Sequence, residues 1–383
     1  MAIGSIADLL LLGSNKDLES ERGVSCAGEL PAASDPDLVE RAKIARAKLG
    51  DKAYILGHHY QRDEVIAFAD VTGDSFKLAQ AAAGRPEAKY IIFCGVHFMA
   101  ESADILTTSD QIVVLPDLAA GCSMADMAGG EQVARCWDQL GELGLVEGTV
   151  PVTYMNSSAT IKAFTGRNGG TVCTSSNART ALAWALAKGE RVLFLPDQHL
   201  GRNTAVMQHG ISKDQCVIWD PWKPMGGLTE TQLRSAKMIL WRGHCSVHGR
   251  FTVESVNDVR NRIPDVKVLV HPECTNEVAQ IADLVGSTEF IIKTIKAAPS
   301  GSAWAIGTEL NLVSRLAKTH TDKRIIFLDK SVCYCSTMNR IDLPHLVWAM
   351  ESLAEGRVVN QIAVEPEVAR YAKIALDRML SLT

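Results

Sequence analysis

The sequence predicts an α/β protein of three similar units, each a short parallel sheet flanked by helices, in a pseudo-threefold arrangement. Apolar runs of four to six residues alternate with helix-like segments, the pattern of βαβ units. Three of these runs, AYILGHHYQ, VPVTYMNSS and VKVLVHPEC, end in polar groups at His58, Asn156 and Glu273. Each is followed by a cysteine that itself closes a short β-type run. His58 to Cys122 spans 64 positions, Glu273 to Cys335 spans 62, and Asn156 to Cys245 spans 89. The middle unit therefore carries about 26 extra residues, an excess that matches the irregular stretch Cys216–Lys237 with its IWDPWKPMGGLTETQ.

In chain order, residues 1–36 mix a short apolar stretch with Gly, Ser and charges and read as an extension. The first unit, residues 37–130, opens with a helix at Leu38–Leu49 and has strands at Ala53–Leu56, Tyr90–Cys94 and Ile112–Leu115. The second, residues 131–247, has strands at Val150–Tyr154, Gly170–Thr174 and Arg191–Leu195, with an insertion near 216–237. In the third, residues 248–342, strands are expected at Val266–Val270, Glu289–Ile292, Ala303–Gly307 and Ile325–Leu328. The tail, residues 343–383, reads as two helices that pack on the first unit.

A chain of 383 residues is long for one core, and with 47% hydrophobic residues each unit can bury its own. The net charge of −5, without a basic cluster, argues against nucleic acid or an anionic membrane surface as partner. No apolar run reaches the roughly 18 residues of a membrane span, and Leu9–Leu12 lacks the flanks of a signal peptide. A cytoplasmic location is expected. In that compartment ten cysteines point to metal binding or catalysis rather than to disulfides.

In open parallel sheets ligands sit beyond the carboxyl ends of the strands, and those positions are rich in chemistry here. They hold His58, His59 and Tyr60; Asp74 and Ser75; Tyr154, Asn156 and Ser157; Thr174, Ser175, Ser176 and Asn177; His271 and Glu273; Ser287 and Thr288; Thr308 and Glu309. Helix capping accounts for individual Ser, Thr and Asn residues, but not for His, Tyr and Glu alongside them. Hydroxyls and helix N-termini in GSTEF and CTSSNA favour a small anionic substrate, and the nucleotide-binding signatures GxGxxG and GxxxxGK[ST] are absent. Tyr60, His58 and Glu273 can move protons, as enolisation, imine formation and dehydration require.

Cys122, Cys245 and Cys335 stand in corresponding places and read as three corners of one metal site. Paired C-x-x-C knuckles of structural zinc are missing, with CYC at Cys333–Cys335 the nearest approach. A cubane cluster on three cysteines, with a fourth iron open to act as a Lewis acid, fits better. The alternatives are a zinc site in which His244 and His248 complete the set with Cys245, as in a zinc-dependent aldolase, and an electron-transfer or redox-sensing iron–sulfur protein.

The motifs GHHYQ, TGDSF, GCSMADM, YMNSSA, CTSSNA, PDQHLG, WRGHCSVH, VHPEC, VGSTEF, IGTE and CYCSTM, in this order, resemble the quinolinate synthase family, transferases of the aspartate route to NAD. The resemblance covers roughly residues 40 to 360. It implies three α/β domains around a central active site, with a 4Fe–4S cluster whose three cysteine ligands match Cys122, Cys245 and Cys335. It further implies condensation of iminoaspartate, supplied by an aspartate oxidase or dehydrogenase, with dihydroxyacetone phosphate to give quinolinate, phosphate and water. Tyr60 and His58 match the family's catalytic Tyr and His, and Glu273 its third-unit acid. Ser75, Tyr154, Asn156, Ser175, His271, Ser287 and Thr288 match its substrate contacts. Between Cys333 and Cys335, the following S-T-M-N segment favours Cys335 as the ligand.

Overall fold

A computed structural model describes residues 30–330 and 334–382 of the chain. Among these residues there are three separate sheets. The first contains β1 (Ala53–His58), β2 (Val71–Gly73), β3 (Tyr90–Cys94) and β4 (Ile112–Val114). The second contains β5 (Thr149–Tyr154), β6 (Thr171–Cys173), β7 (Arg191–Leu195), β8 (Cys216–Trp219) and β9 (Met238–Trp241). The third contains β10 (Lys267–Val270), β11 (Leu284–Val285), β12 (Ala303–Gly307) and β13 (Arg324–Phe327). A last short strand, β14 (Gln361–Ile362), returns to the first sheet.

Strand order makes the relation between the units explicit. The sheets run β2-β1-β3-β4, β6-β5-β7-β9 and β11-β10-β12-β13, so that each unit's four shared strands are arranged second, first, third, fourth. All these pairings are parallel. Such sheets need cover on both faces, and the strands are accordingly apolar runs buried almost throughout, as in β3, β7 and β9. The threefold pattern read from cysteine spacing is therefore a repeat of topology.

The extra residues of the second unit form an edge. Cys216–Trp219 pairs with β9 as a fifth strand, and the chain then turns through Pro224–Gly227 and the helix Glu230–Ser235 before β9 begins. In the first sheet the equivalent place beside β4 is taken by β14, which runs antiparallel.

One expected strand is a helix. Glu289–Ile292 lies inside the helix Thr288–Ala297, and the unit's second strand is the two-residue β11 just before it. The Ser287 hydroxyl accepts a hydrogen bond from the Phe290 amide, an N-cap, and Ile291 and Ile295 are buried one helical turn apart while Phe290 is exposed. A short, largely apolar segment, Phe290–Ile292 after Glu289, thus belongs to the first turns of an amphipathic helix, an ambiguity that short runs carry.

The tail forms the two expected helices, Leu343–Ala354 and Pro366–Ser381. The first lies against Leu38–Leu49, where Arg41 forms a two-bond fork with Glu351 at 2.9 and 2.7 Å. The second lies chiefly along Ala159–Arg167 of the second unit and also touches His97–Leu106 of the first. This contact requires a glycine at Gly166, because a methyl group there would collide with the carbonyl of Tyr371. No helix among the described residues is long and apolar enough to cross a membrane.

Candidate active site

The carboxyl ends of the strands from all three sheets converge on one cavity. Its walls include His58 at the end of β1 and Tyr60 just after it, Ser75 after β2, Tyr154 at the end of β5 and Asn156 just after it, and Thr174 and Ser175 after β6. The third unit adds His271 and Glu273 after β10, Thr288 after β11, and Glu309 after β12. Cys122, Cys245 and Cys335 complete the lining. Ser287, expected to contact substrate, is occupied as the cap of its helix, and its neighbour Thr288 faces the cavity instead. Cys333 lies outside the described residues.

Glu273 is the most heavily engaged of these groups. It is 3% exposed; one carboxylate oxygen accepts a hydrogen bond from the Tyr154 hydroxyl at 2.6 Å, and the other lies 2.7 Å from His248 Nδ1. Burial opposes its ionisation, yet the imidazoles of His248 and His271 and the Tyr154 hydroxyl outweigh that cost and hold it below the usual carboxylate range. Behind it, the Asn203 amide donates to the carbonyls of Pro272 and Cys274, both at 2.8 Å, and accepts from Asn276 at 2.8 Å. Asn203 and Asn276 are buried, so the backbone on either side of Glu273 is fixed by a fully enclosed amide pair.

A second chain of contacts starts at Tyr60. Its hydroxyl lies 3.0 Å from Thr288 Oγ1 and 2.8 Å from Thr308 Oγ1, and Thr308 Oγ1 is 3.2 Å from His248 Nε2. Tyr60, Thr308, His248, Glu273 and Tyr154 therefore form one continuous polar path drawn from all three units. Burial and the negative charge of Glu273 push both tyrosines well above their ordinary range, so each hydroxyl keeps its proton. Burial brings His58 and His271 down to about 3, neighbouring basic groups push the same way and only the charge of Glu273 opposes, leaving both imidazoles neutral near pH 7. His271 Nε2 meets the Ser175 hydroxyl at 3.2 Å, and His248 stacks on His271 with ring centroids 4.5 Å apart. The buried Asn156 Oδ1, lining the same cavity, has no hydrogen-bond partner among the described residues.

The loop bearing Tyr60 is gripped from the third unit. Arg315 donates to the carbonyls of His59 and Gln61 and to Asp63, and Asn311 donates to the Tyr60 carbonyl at 2.9 Å. Between the first two units, Ser176 donates to Asp74 at 2.6 Å. Such contacts set the distance between Tyr60 and Thr308, which belong to different sheets.

None of the three cavity cysteines is in a disulfide. Burial raises all three thiols, Cys122 to about 12 and Cys245 well above its ordinary value, and the charges of neighbouring sulfurs and of Glu273 add to this at Cys122 and Cys245. Backbone amides oppose this: those of Ala125 and Met124 point at Cys122, that of His248 at Cys245, and those of Met338 and Thr337 at Cys335. Amides aimed at sulfur stabilise thiolate, and three such sulfurs around one cavity suit a group that brings positive charge. Their spacing also speaks to its size. Among the described residues, the one set of three or more metal-binding side chains with ligand atoms all within 4.8 Å of one another is Cys245, His248 and Glu273. The three sulfurs are more widely spread than a single ion requires.

Comparison with known proteins decides the family. The family model described as "Quinolinate synthetase A protein" matches residues 42–381. The chain belongs to that family. It is 70% identical over 376 residues to the quinolinate synthase of Streptomyces coelicolor, covering 98% of this chain and 95% of the relative. Against the quinolinate synthase of Nocardioides sp. it is 68% identical over 386 residues, covering 99% and 98% of the two chains. The quinolinate synthase of Corynebacterium glutamicum is 57% identical over 354 residues, covering 92% and 90%. The chain is thus an enzyme of the quinolinate synthetase A family, and all the motifs quoted above fall within the matched residues.

Two participants escaped the sequence reading. Thr308 stood among the polar strand ends without a role, and His248 was considered only as a zinc ligand. The structure makes both of them links between Tyr60 and Glu273. The available signal was positional: Thr308 follows β12 as Thr288 follows β11, and His248 lies three residues beyond Cys245.

Proposed function

We propose that this enzyme condenses iminoaspartate with dihydroxyacetone phosphate to quinolinate, releasing phosphate and water, with a 4Fe–4S cluster on Cys122, Cys245 and Cys335. The observation that supports the reading is the meeting, on a single cavity, of three amide-supported sulfurs and a row of polar groups running from Tyr60 through Thr308 to His248, with Glu273 beside it. When bound, the cluster supplies an open iron that acts as a Lewis acid toward a substrate carboxylate, hydroxyl or ring nitrogen.

The protein's own groups cover the remaining needs. Ser75, Asn156, Ser175 and Thr288 present hydroxyl and amide donors from two helix starts and two strand ends, suited to carboxylate and phosphate oxygens. Tyr60, protonated through its buried hydroxyl, delivers a proton to a departing or carbonyl oxygen, and Thr308 passes the vacancy on to His248 Nε2. Glu273, ionised, accepts the proton that ring closure releases, and Tyr154 orients its carboxylate. His58 and His271, neutral, offer one donor and one acceptor nitrogen each. A supplier of iminoaspartate, an aspartate oxidase or dehydrogenase, is implied by that substrate.

The test is anaerobic purification followed by iron and sulfide analysis, a turnover assay for quinolinate, and titration with a rigid 1,2-dicarboxylate. About four irons per chain, quinolinate formation, and inhibition with a changed paramagnetic resonance spectrum of the reduced cluster are expected. Inhibition indifferent to carboxylate spacing, with an unchanged spectrum, would sink the role of the open iron.

A further inference from the structure

The tight set within the cavity is Cys245, His248 and Glu273, and its polar atoms are arranged as a metal would need them. His248 Nε2 is 3.2 Å from the Thr308 hydroxyl. Used as the donor there, it leaves the Nδ1 lone pair facing inward, the outer-sphere pattern that orients metal-binding imidazoles. Nδ1 lies 2.7 Å from a Glu273 oxygen yet is off the line of a hydrogen bond and has no aligned partner among the described residues. Two buried acceptors at that distance repel unless a proton or a cation lies between them. The other Glu273 oxygen is already held by Tyr154, which aims the free one at His248. The Cys245 sulfur completes a set whose members all lie within 4.8 Å of one another.

Sulfur, imidazole nitrogen and carboxylate oxygen are the three donor types zinc accepts, and a tetrahedral ion holds ligands roughly 3.5 Å apart. Binding would draw the sulfur closer and open the 2.7 Å nitrogen–oxygen pair by roughly half an ångström. We propose that Cys245, His248 and Glu273 form a binding site for a single zinc-class divalent cation, distinct from the three-cysteine cluster but sharing Cys245 with it. On the reading above that Cys245 binds the cluster, occupancy of the two is mutually exclusive, and a bound ion also severs the path between Tyr60 and Glu273. Zinc is therefore an inhibitor that enters when iron is lost.

Full-length chain stripped of iron under anaerobic conditions is titrated with Co²⁺, with Zn²⁺ then added to displace it. One Co²⁺ per chain is expected, with a thiolate charge-transfer band and the intense visible bands of tetrahedral coordination, both abolished by one equivalent of Zn²⁺. Cys245→Ala, His248→Gln and Glu273→Gln each weaken binding by about tenfold or more, whereas Cys122→Ala and Cys335→Ala, which lose the cluster, leave it unchanged. The two cysteine controls guard against misfolding as the cause of any loss. Equal loss in Cys122→Ala or Cys335→Ala, or full binding in His248→Gln, overturns the site. Prior loading with Zn²⁺ is expected to block cluster reconstitution in the unmutated chain. Unimpaired reconstitution alongside the expected cobalt spectrum overturns the exclusion, and with it the assignment of Cys245 to the cluster.

Discussion

Tyr60 and His248 meet on one hydroxyl, that of Thr308, at 2.8 and 3.2 Å, although the two residues are carried by different sheets. Their rings lie 6.4 Å apart, centroid to centroid, and the shared hydroxyl belongs to a third strand end, so the relationship exists only while the units are docked. The chemistry of the path is thereby tied to the contacts of Arg315 and Asn311.

Tyr60→Phe and Thr308→Val should each slow turnover by roughly 10²-fold, the usual scale for losing a positioned acid or its link, while iron and sulfide content stays unchanged. Glu273→Gln should do the same. Steady-state rates on protein matched for iron content are the measurement, and near-normal turnover in any of the three removes that residue from the path.

Cys122→Ala, Cys245→Ala and Cys335→Ala should each abolish cluster assembly and turnover, and Cys333→Ala should keep both. Iron content and the visible absorption spectrum decide. An intact spectrum in Cys335→Ala with loss in Cys333→Ala would exchange the two assignments.

Asn203→Ala removes both donors that hold the carbonyls beside Glu273. Turnover should fall on the order of 10²-fold, since a misplacement near 1 Å costs about that much, with cluster content retained. Asn276→Ala, which removes the amide orienting Asn203 and leaves both clamping bonds possible, should fall less. Loss of the cluster in Asn203→Ala would mark a packing role in place of a positioning one.

Lys162 gives a pH-dependent prediction. Its side chain is fully buried over the Phe98 ring, at 5.4 Å, with its ammonium donating to the Ser157 carbonyl. Burial lowers its pKa from 10.5 to about 8, against the opposing charges of Glu101 and Cys122. Between those values the unfolded chain holds a proton that the folded chain lacks, so folding stability rises with pH across this window. Each unit is worth at most about 1.4 kcal/mol. Lys162→Met lacks this linkage, so the stability difference should move in favour of the unmutated chain as pH rises from about 8 to 10. Urea midpoints at several pH values measure it, and a flat difference would mean that the ammonium stays charged when buried.

Much of this was legible in the sequence because strands followed by polar residues leave a local record. His58, Tyr60, Tyr154, Asn156, His271 and Glu273 all sit within three residues of a strand's carboxyl end, where ligands of open α/β sheets bind. Cysteine spacing revealed the repeat because three copies of one topology keep similar lengths. Glu289–Ile292 reads as a strand in the sequence yet is helical, because three apolar residues, Phe290–Ile292, fit either period. Asn203 and His248 were invisible as positioning and linking groups because their partners, at Pro272, Cys274 and Thr308, lie about 60 to 70 residues away. No local pattern encodes a hydrogen bond across units.

The place of β14 bears on how the protein is made. Residues Gln361–Ile362 pair with β4, and Leu343–Ala354 covers Leu38–Leu49, so the first unit is completed by residues more than 200 positions further along the chain. Synthesis from the N-terminus ordinarily lets domains fold as they emerge. Here the second and third units can close their sheets from their own residues, but the first keeps its β4 edge unpaired until Gln361–Ile362 has been made. A message truncated before the codon for Gln361 would therefore leave its defect in the oldest part of the polypeptide, beside the loop of Cys122.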